Sequence, residues 1–313
     1  MTESRSSQPV FVTGASTGIG RATAVQLAGL GHPVYASARK SGDLRELSAI
    51  DNITAVRLDV RDPEQVVEVF EMIRSSGSGL YGLVNNAGVG GIGPVATFTD
   101  EEVRDLFEVN VFGVFRMTRT FLPLLLEARG RVVLVGSQGG SVSMKYFAPY
   151  TMTKHALEAF AVALDGEIRP HGARVSIVQP GGVRTAIFGS TMEADRDRFR
   201  RAPSPFDVEA RAVLETFDDD AEFDPALPES ASNRRPSAPE AVAEVIRECL
   251  HSPDPPLRSL VGTRWEGDRV LDTLMERIAQ ANSCPSLDYS SEELFARLDE
   301  YLSAERKRLG GRG

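Results

Sequence analysis

Short runs rich in Val, Ile and Leu alternate with longer amphipathic stretches from residue 9 onward. That alternation restricts the fold more than any other property of this chain. Apolar spacing of two followed by spacing near 3.6, repeated, gives βαβ units, and such units feed a parallel sheet covered by helices on both faces. The runs are Val10 to Thr13, Val34 to Ala38, Thr54 to Leu58, Leu80 to Asn85, Arg131 to Val135, Arg174 to Gln179 and Leu257 to Val261. They predict an α/β, doubly wound parallel sheet of seven strands flanked by helices. Helices are expected to start near Ile19, Pro63, Asp100, Tyr150 and Pro239. The last has Ser237 as its expected N-cap and a buried face of Ala241, Val242, Val245, Ile246 and Leu250.

The regularity breaks at about 187–238. This stretch opens amphipathic, with Ile187, Phe188, Met192, Phe199, Phe206, Val208, Val213, Leu214 and Phe217, and continues with Asp218, Asp219, Asp220, Glu222 and Asp224. A Pro/Ser-rich run follows, so the segment reads as a partly mobile lid insertion over a substrate. Residues 9–264 form one domain that includes the lid, and 265–313 read as a C-terminal helical extension. A net charge of -9 and a pI near 5.2 argue against nonspecific binding to nucleic acid or anionic membranes, which needs concentrated positive charge. The polar start, with no apolar core of signal-peptide length, predicts a cytoplasmic protein without membrane insertion. Only Cys249 and Cys284 occur, and with the four histidines they show no metal-ligand spacing, so no metal is expected.

The first strand runs straight into Thr13-Gly14-Ala15-Ser16-Thr17-Gly18-Ile19-Gly20 and then a helical stretch. A strand, a glycine-rich turn and a helix start are what a phosphate-binding loop needs. The glycines permit a sharp turn and close backbone approach, and the helix N-terminus adds partial positive charge. The spacing is Gly-x-x-x-Gly-x-Gly. With Asp59-Val60 after the third strand, Asn85-Asn86-Ala87-Gly88 after the fourth and Tyr150-x-x-x-Lys154, the chain resembles the short-chain dehydrogenase/reductase family over residues 9 to 188. The similarity to its steroid- and retinol-acting members is looser.

The resemblance implies a Rossmann-like fold and a nicotinamide cofactor held by Gly14, Ser16, Thr17, Gly18, Ile19 and Gly20. Further implied contacts are Ser37, Asp59 and Val60 near the adenosine, and Asn86, Ala87, Gly88, Tyr150, Lys154, Pro180, Gly181, Val183 and Thr185 toward the nicotinamide. NAD users in this family carry an acid at the end of the second strand. Here Ala38 stands there, followed by Arg39 and Lys40, whose charges suit the 2'-phosphate of NADP(H) rather than NAD(H).

Tyr150 and Lys154 lie four residues apart and therefore share one helix face. A phenol with a pKa of about 10 is a poor base near neutrality, so the lysine and the nicotinamide are expected to lower it. Tyr150 would then donate or accept the proton. Ser137, thirteen residues earlier, is expected to orient the substrate oxygen, and the family's counterpart of Asn110 holds a water for proton relay. Ser137, Tyr150, Phe147, Ile187 and Phe188 make up the expected substrate site.

The function so implied is hydride transfer between NADP(H) and a ketone or secondary alcohol, lipophilic and steroid-, retinoid- or polyketide-like. Two alternatives share this fold. An epimerase or dehydratase of the extended branch spaces its glycines Gly-x-x-Gly-x-x-Gly, unlike this loop, and a non-catalytic NADP(H) sensor is expected to have lost part of the Ser/Tyr/Lys set. The small-molecule carbonyl or alcohol is the expected partner, in a homodimer or homotetramer.

Overall fold

The computed structural model describes residues 8–308 apart from 186, 188, 190 and 219–222. Seven parallel strands lie in the order β3-β2-β1-β4-β5-β6-β7. They are β1 Val10–Val12, β2 Val34–Ala38, β3 Ile53–Arg57, β4 Gly82–Asn85, β5 Arg131–Val135, β6 Arg174–Pro180 and β7 Arg258–Val261. The strand order reverses between β1 and β4, which creates the crevice where ligands of open α/β sheets sit.

Alternation along the strands divides the core in two. Phe11, Leu83, Val132, Leu134, Val175 and Ile177 face one layer with α3 (Pro63–Ser75), α5 (Val114–Glu127) and α6 (Ala148–Ile168). Val10, Val12, Val34, Ala36, Val84, Val133 and Val178 face the other, with α1 (Gly18–Gly29), α2 (Ser41–Ser48) and α9 (Pro239–His251). The helices bury regular stripes, such as Leu157, Ala161, Leu164 and Ile168 on α6. The run from α4 (Asp100–Phe107) to the end of α5 is long and apolar enough by composition to cross a membrane. Its Leu106, Val114, Met117, Phe121 and Leu125 are buried in this protein.

Two local expectations are corrected. Ser237 does not cap α9: the N-cap is Ala238, without a side-chain cap bond, because Pro239 opens the helix and needs no acceptor for a missing N–H. Ser237 instead pairs through its backbone, donating to the Gly182 carbonyl at 2.8 Å and accepting from Arg184 N–H at 3.0 Å. The buried face of α9 is also rotated, so that Cys249 is in the core and Ala241 is exposed.

The irregular stretch contains two helices, α7 (Met192–Arg200) and α8 (Asp207–Glu215), joined in a small apolar cluster around Phe199, Ala202 and Ala210. The chain divides into two compact units, the first ending at Gly267 and the second beginning at Asp268. The second contains most of α10 (Arg264–Asn282) and all of α11 (Ser291–Arg308). Its turn is tied by Asn282, whose side chain donates to the Tyr289 carbonyl and accepts from the Tyr289 N–H, each at 2.9 Å.

Candidate active site

The turn after β1 is folded around its missing side chains. Gly14 and Gly18 have φ of +64° and +55°, the left-handed region that glycine enters without strain. A Cβ on Gly14 would lie 2.9 Å from the Cα of Ala87, and one on Gly20 2.3 Å from Asn86 Nδ2. Thr13 and Asn86 lock the turn. The Thr13 hydroxyl accepts from the N–H groups of Asn86 and Ala87, and the Asn86 amide donates to the carbonyls of Thr13 and Gly14. The hydroxyl of Ser37 accepts from Gly14 N–H at 3.1 Å, so its role here is to hold the loop. Thr17, the N-cap of α1, is exposed and makes no side-chain cap bond. The first-turn N–H groups beside Ser16, Gly18 and Ile19 thus face a bare glycine turn, which fits a dinucleotide diphosphate.

At the neighbouring strand ends Ala38 is buried while the Arg39 side chain is 63% exposed. Arg57, at the end of β3, donates to the Arg39 carbonyl at 2.6 Å and to the Ser41 hydroxyl at 2.7 Å, fixing the turn that carries Arg39 and Lys40. Asp59 is gripped by both ends of the Arg61 guanidinium, at 3.0 and 2.7 Å, with Arg39 at 3.9 Å. The Arg61 bond holds the Asp59 carboxyl below its ordinary range. Val60 is buried and its carbonyl accepts from Arg116.

Ser137, Tyr150, Lys154 and Asn110 converge past the ends of β4 and β5. The Ser137 hydroxyl accepts from Gly139 N–H at 3.0 Å and is hydrogen-bonded to the Tyr150 phenol. Lys154 Nζ donates to the Val135 carbonyl at 3.0 Å and lies 5.7 Å from the Tyr150 ring centre. Asn110 sits in a π-helical turn, Glu108–Gly113, between α4 and α5. Its Oδ1 accepts from Val89 N–H at 2.9 Å, and its Nδ2 donates to the Val89 carbonyl at 3.0 Å and to the Thr153 hydroxyl at 3.1 Å. Thr153 in turn donates to the Tyr150 carbonyl at 2.7 Å. The Asn110 side chain therefore clamps the 88–89 backbone to the catalytic helix, and both its amide protons are spent there.

In the protein without cofactor, burial sets the electrostatics of this pair. Burial pushes the Tyr150 phenol above its ordinary value, and the Ser137 hydrogen bond only partly offsets this. Burial also lowers Lys154 to about 8. The protein alone therefore keeps the phenol protonated near neutrality, ready to donate.

The lysine shift has a measurable consequence. Between pH 8 and 10.5 the unfolded chain binds a proton at Lys154 that the folded chain has released, so stability rises with pH in that window. Relative to Lys154→Met, the cofactor-free parent should gain about 2 kcal/mol or more between pH 7 and 10. Urea unfolding at both pH values checks this, and an unchanged difference would mean that the lysine is not desolvated.

Residues 8–196 match the family profile described as short chain dehydrogenase. The chain is a short-chain dehydrogenase/reductase. It is 37% identical over 197 residues to mitochondrial D-beta-hydroxybutyrate dehydrogenase of Bos taurus, a match covering 59% of this chain and 57% of that one. It is 37% identical over 183 residues to retinol dehydrogenase 5 of Mus musculus, with 57% of each chain covered. The chain thus spans little more than half the length of these relatives. The match to the uncharacterized oxidoreductase YbbO of Escherichia coli is broader, 31% identity over 80% of this chain and 83% of the relative. Among solved structures, a short-chain dehydrogenase from Streptomyces avermitilis superposes with a TM-score of 0.69 at 31% identity, covering 97% of this chain and 99% of that one. Actinorhodin polyketide ketoreductase, solved with NADPH, gives 0.66 at 29% identity, covering 81% and 95%.

The remaining expected site residues of this short-chain dehydrogenase/reductase are placed unevenly. Thr185 packs on Gly18, where a Cβ would meet its methyl group at 3.0 Å. Val183 packs against the core on the α1 side of the sheet, Phe147 is the N-cap of α6, and Ile187 is half-buried. Phe188 lies outside the described residues. Sequence reasoning missed Arg57, Thr153 and Arg198. Arg198 on α7 is buried, donates to Asp195, to the Ile92 carbonyl at 3.0 Å and to Glu102 at 3.0 Å, and stacks on Phe98 at 4.3 Å. Asp195, also buried, accepts from Ile92 N–H and from the Thr191 hydroxyl. This network ties the outer wall, which includes Tyr146 and Phe199 with ring centres 5.0 Å apart, to the segment after β4.

Proposed function

We propose that the protein reduces a neutral, lipophilic ketone, or oxidises the corresponding secondary alcohol, with NADP(H). The observation that carries the reaction is a buried Tyr150 hydrogen-bonded to Ser137 beside Lys154. When bound, the nicotinamide supplies or accepts the hydride. Ser137 and Tyr150 hold the substrate oxygen by two hydrogen bonds, and the phenol gives that oxygen its proton as the carbonyl becomes an alcohol. Lys154, on the same helix face with its Nζ 5.7 Å from the Tyr150 ring centre, then resupplies the phenol proton, and Asn110 braces that helix through Thr153.

NADP(H) is supported by Ala38 in the position of the NAD-selective acid and by the arginine-braced turn that presents Arg39 and Lys40. A charge-assisted phosphate contact is worth about 1.5–3 kcal/mol, so NADPH should bind roughly ten- to a hundredfold more tightly than NADH. Fluorescence titration of both cofactors decides this, and equal affinities, or an NADH preference, would sink the assignment.

Substrate neutrality is supported by three cations of the outer wall that already meet carboxylates. Arg198 meets Asp195 and Glu102, Lys145 meets Glu209, and Arg201 meets Glu102 and Asp197. The wall beyond them is apolar, with Ile92, Tyr146, Val213, Leu214 and Phe217 around Phe199. A bulky neutral ketone should therefore exceed a small keto acid in kcat/KM by roughly tenfold or more, since a carboxylate would be buried unpaired. A preference for the keto acid in NADPH consumption would overturn this part.

A homo-oligomer completes the proposal, with the half-exposed Phe112, Phe115, Met152 and Val162 covered by a second copy of the chain. Light scattering after gel filtration tests it, and a monomer at micromolar concentration would refute it. Cys249 and Cys284 are both free thiols, in keeping with a reducing cytoplasm as the place of action.

A further inference from the structure

The first turn of α10 contains a buried carboxylate that the catalytic set does not use. Glu266 is 3% exposed. Part of its bonding is a capping box: Glu266 N–H donates to the Thr263 hydroxyl at 3.3 Å, and Thr263 N–H donates to Glu266 Oε2 at 3.2 Å. A glutamate with only that task would stay at the helix surface. Here Oε1 crosses to the end of β6 and accepts the N–H of Gly182 at 2.7 Å, with Arg234 at 3.6 Å.

The surrounding chain is shaped to admit this group. A Cβ on Gly181 would lie 2.2 Å from Oε2, and one on Gly262 would lie 2.3 Å from the same oxygen. Gly181 has no left-handed φ, so what demands glycine there is the space taken by the carboxylate. The rest of the turn is held by backbone. Gly181 N–H donates to the Val261 carbonyl at 2.8 Å, and Ser237 N–H donates to the Gly182 carbonyl at 2.8 Å. Gln138, next to Ser137, reaches the same Val261 carbonyl at 3.4 Å. Glu266 thus lies where the ends of β5, β6 and β7 meet, between the serine turn and the segment leading to Val183 and Thr185.

We propose that Glu266 is a positioning residue of the cofactor site, its carboxylate fixing the Pro180–Thr185 turn in the shape that receives the nicotinamide. The proposal rests on the nicotinamide-cofactor reading. A carboxylate makes a stronger bond to a backbone N–H than a neutral acceptor does, and a water in its place would not be anchored to α10, so the turn depends on it.

The test combines Glu266→Ala, Glu266→Gln and Gly182→Ala with NADPH titration by fluorescence, thermal unfolding, and kcat and KM on a ketone the parent reduces. Glu266→Ala should fold and weaken NADPH binding roughly tenfold, while the ketone KM at saturating cofactor stays within about twofold. Glu266→Gln keeps a carbonyl oxygen for Gly182 N–H and should recover most of the affinity. Gly182→Ala places a Cβ 3.3 Å from Oε1. It should therefore weaken NADPH binding in the parent but add little once Glu266 is alanine, a coupling that a helix cap alone would not produce.

Parent-like NADPH affinity in folded Glu266→Ala overturns the proposal, as does an equal cost of Gly182→Ala in both backgrounds. If Glu266→Ala does not fold, Glu266→Asp decides, since it keeps the charge but is one methylene too short to reach Gly182 N–H: weakened NADPH binding supports the proposal, and parent-like affinity refutes it. A parent protein that binds neither NADPH nor NADH would remove the cofactor reading itself, a result distinct from all of these.

Discussion

Tyr150→Phe should bind NADPH nearly as tightly as the parent and turn over roughly a hundred- to ten-thousandfold more slowly, the range expected for losing a general acid. The substitution leaves a ring of the same shape in the same buried place and removes only the hydroxyl. Ser137 keeps its bond from Gly139 N–H, and Lys154 keeps its bond to the Val135 carbonyl, so the surrounding geometry has reason to persist. Ser137 and the nicotinamide would still align the substrate, which leaves a residual rate. Single-turnover absorbance at 340 nm, with cofactor affinity measured in parallel, separates the two effects. Near-normal turnover on a verified substrate would show that another group supplies the proton.

Arg198→Met should cost about 3–5 kcal/mol of stability, because it removes the cation paired with Asp195 at a site closed to water. The double variant Arg198→Met/Asp195→Asn should recover part of that loss, since no unmatched charge remains at position 195. In the single variant, limited proteolysis should move to α7, and the KM for bulky ketones should rise more than that for small ones. An exposed pair would give about 1 kcal/mol or less. A loss that small, with an unchanged digestion pattern, would show that the network does not anchor this wall. The insertion first read as a partly mobile lid therefore has a near half that is docked through buried charge as well as apolar contact.

The parallel sheet was legible because each strand carries its own pattern, and β2 and β5 begin and end where the sequence places them. The phosphate turn and the Tyr/Lys pairing were legible for a similar reason, being local spacings with a fixed geometric meaning. What stayed hidden depends on distant partners. Arg198 reads as one of several surface arginines until Glu102, 96 residues away, closes on it. The Thr263-x-x-Glu266 cap is visible in the sequence, but its third partner, Gly182, is 84 residues off. For Tyr150 the sequence shows the charges nearby but not how deeply they are buried. Desolvation acts on both groups, raising the phenol and lowering the ammonium together.

The π-helical turn at Glu108–Gly113 makes chain length a constraint of its own. Such a turn holds one residue more than an α-helix needs to span the same rise. Removing any one residue from this window would let α4 and α5 merge into one regular helix, at no obvious cost in backbone hydrogen bonding. The flanking helices would stay in phase, but the widened turn that carries Asn110 to Val89 and Thr153 would close, and those bonds would be lost. Side-chain replacements leave the extra residue in place, so a scan of point substitutions would pass over this constraint, and a scan of single-residue deletions would find it.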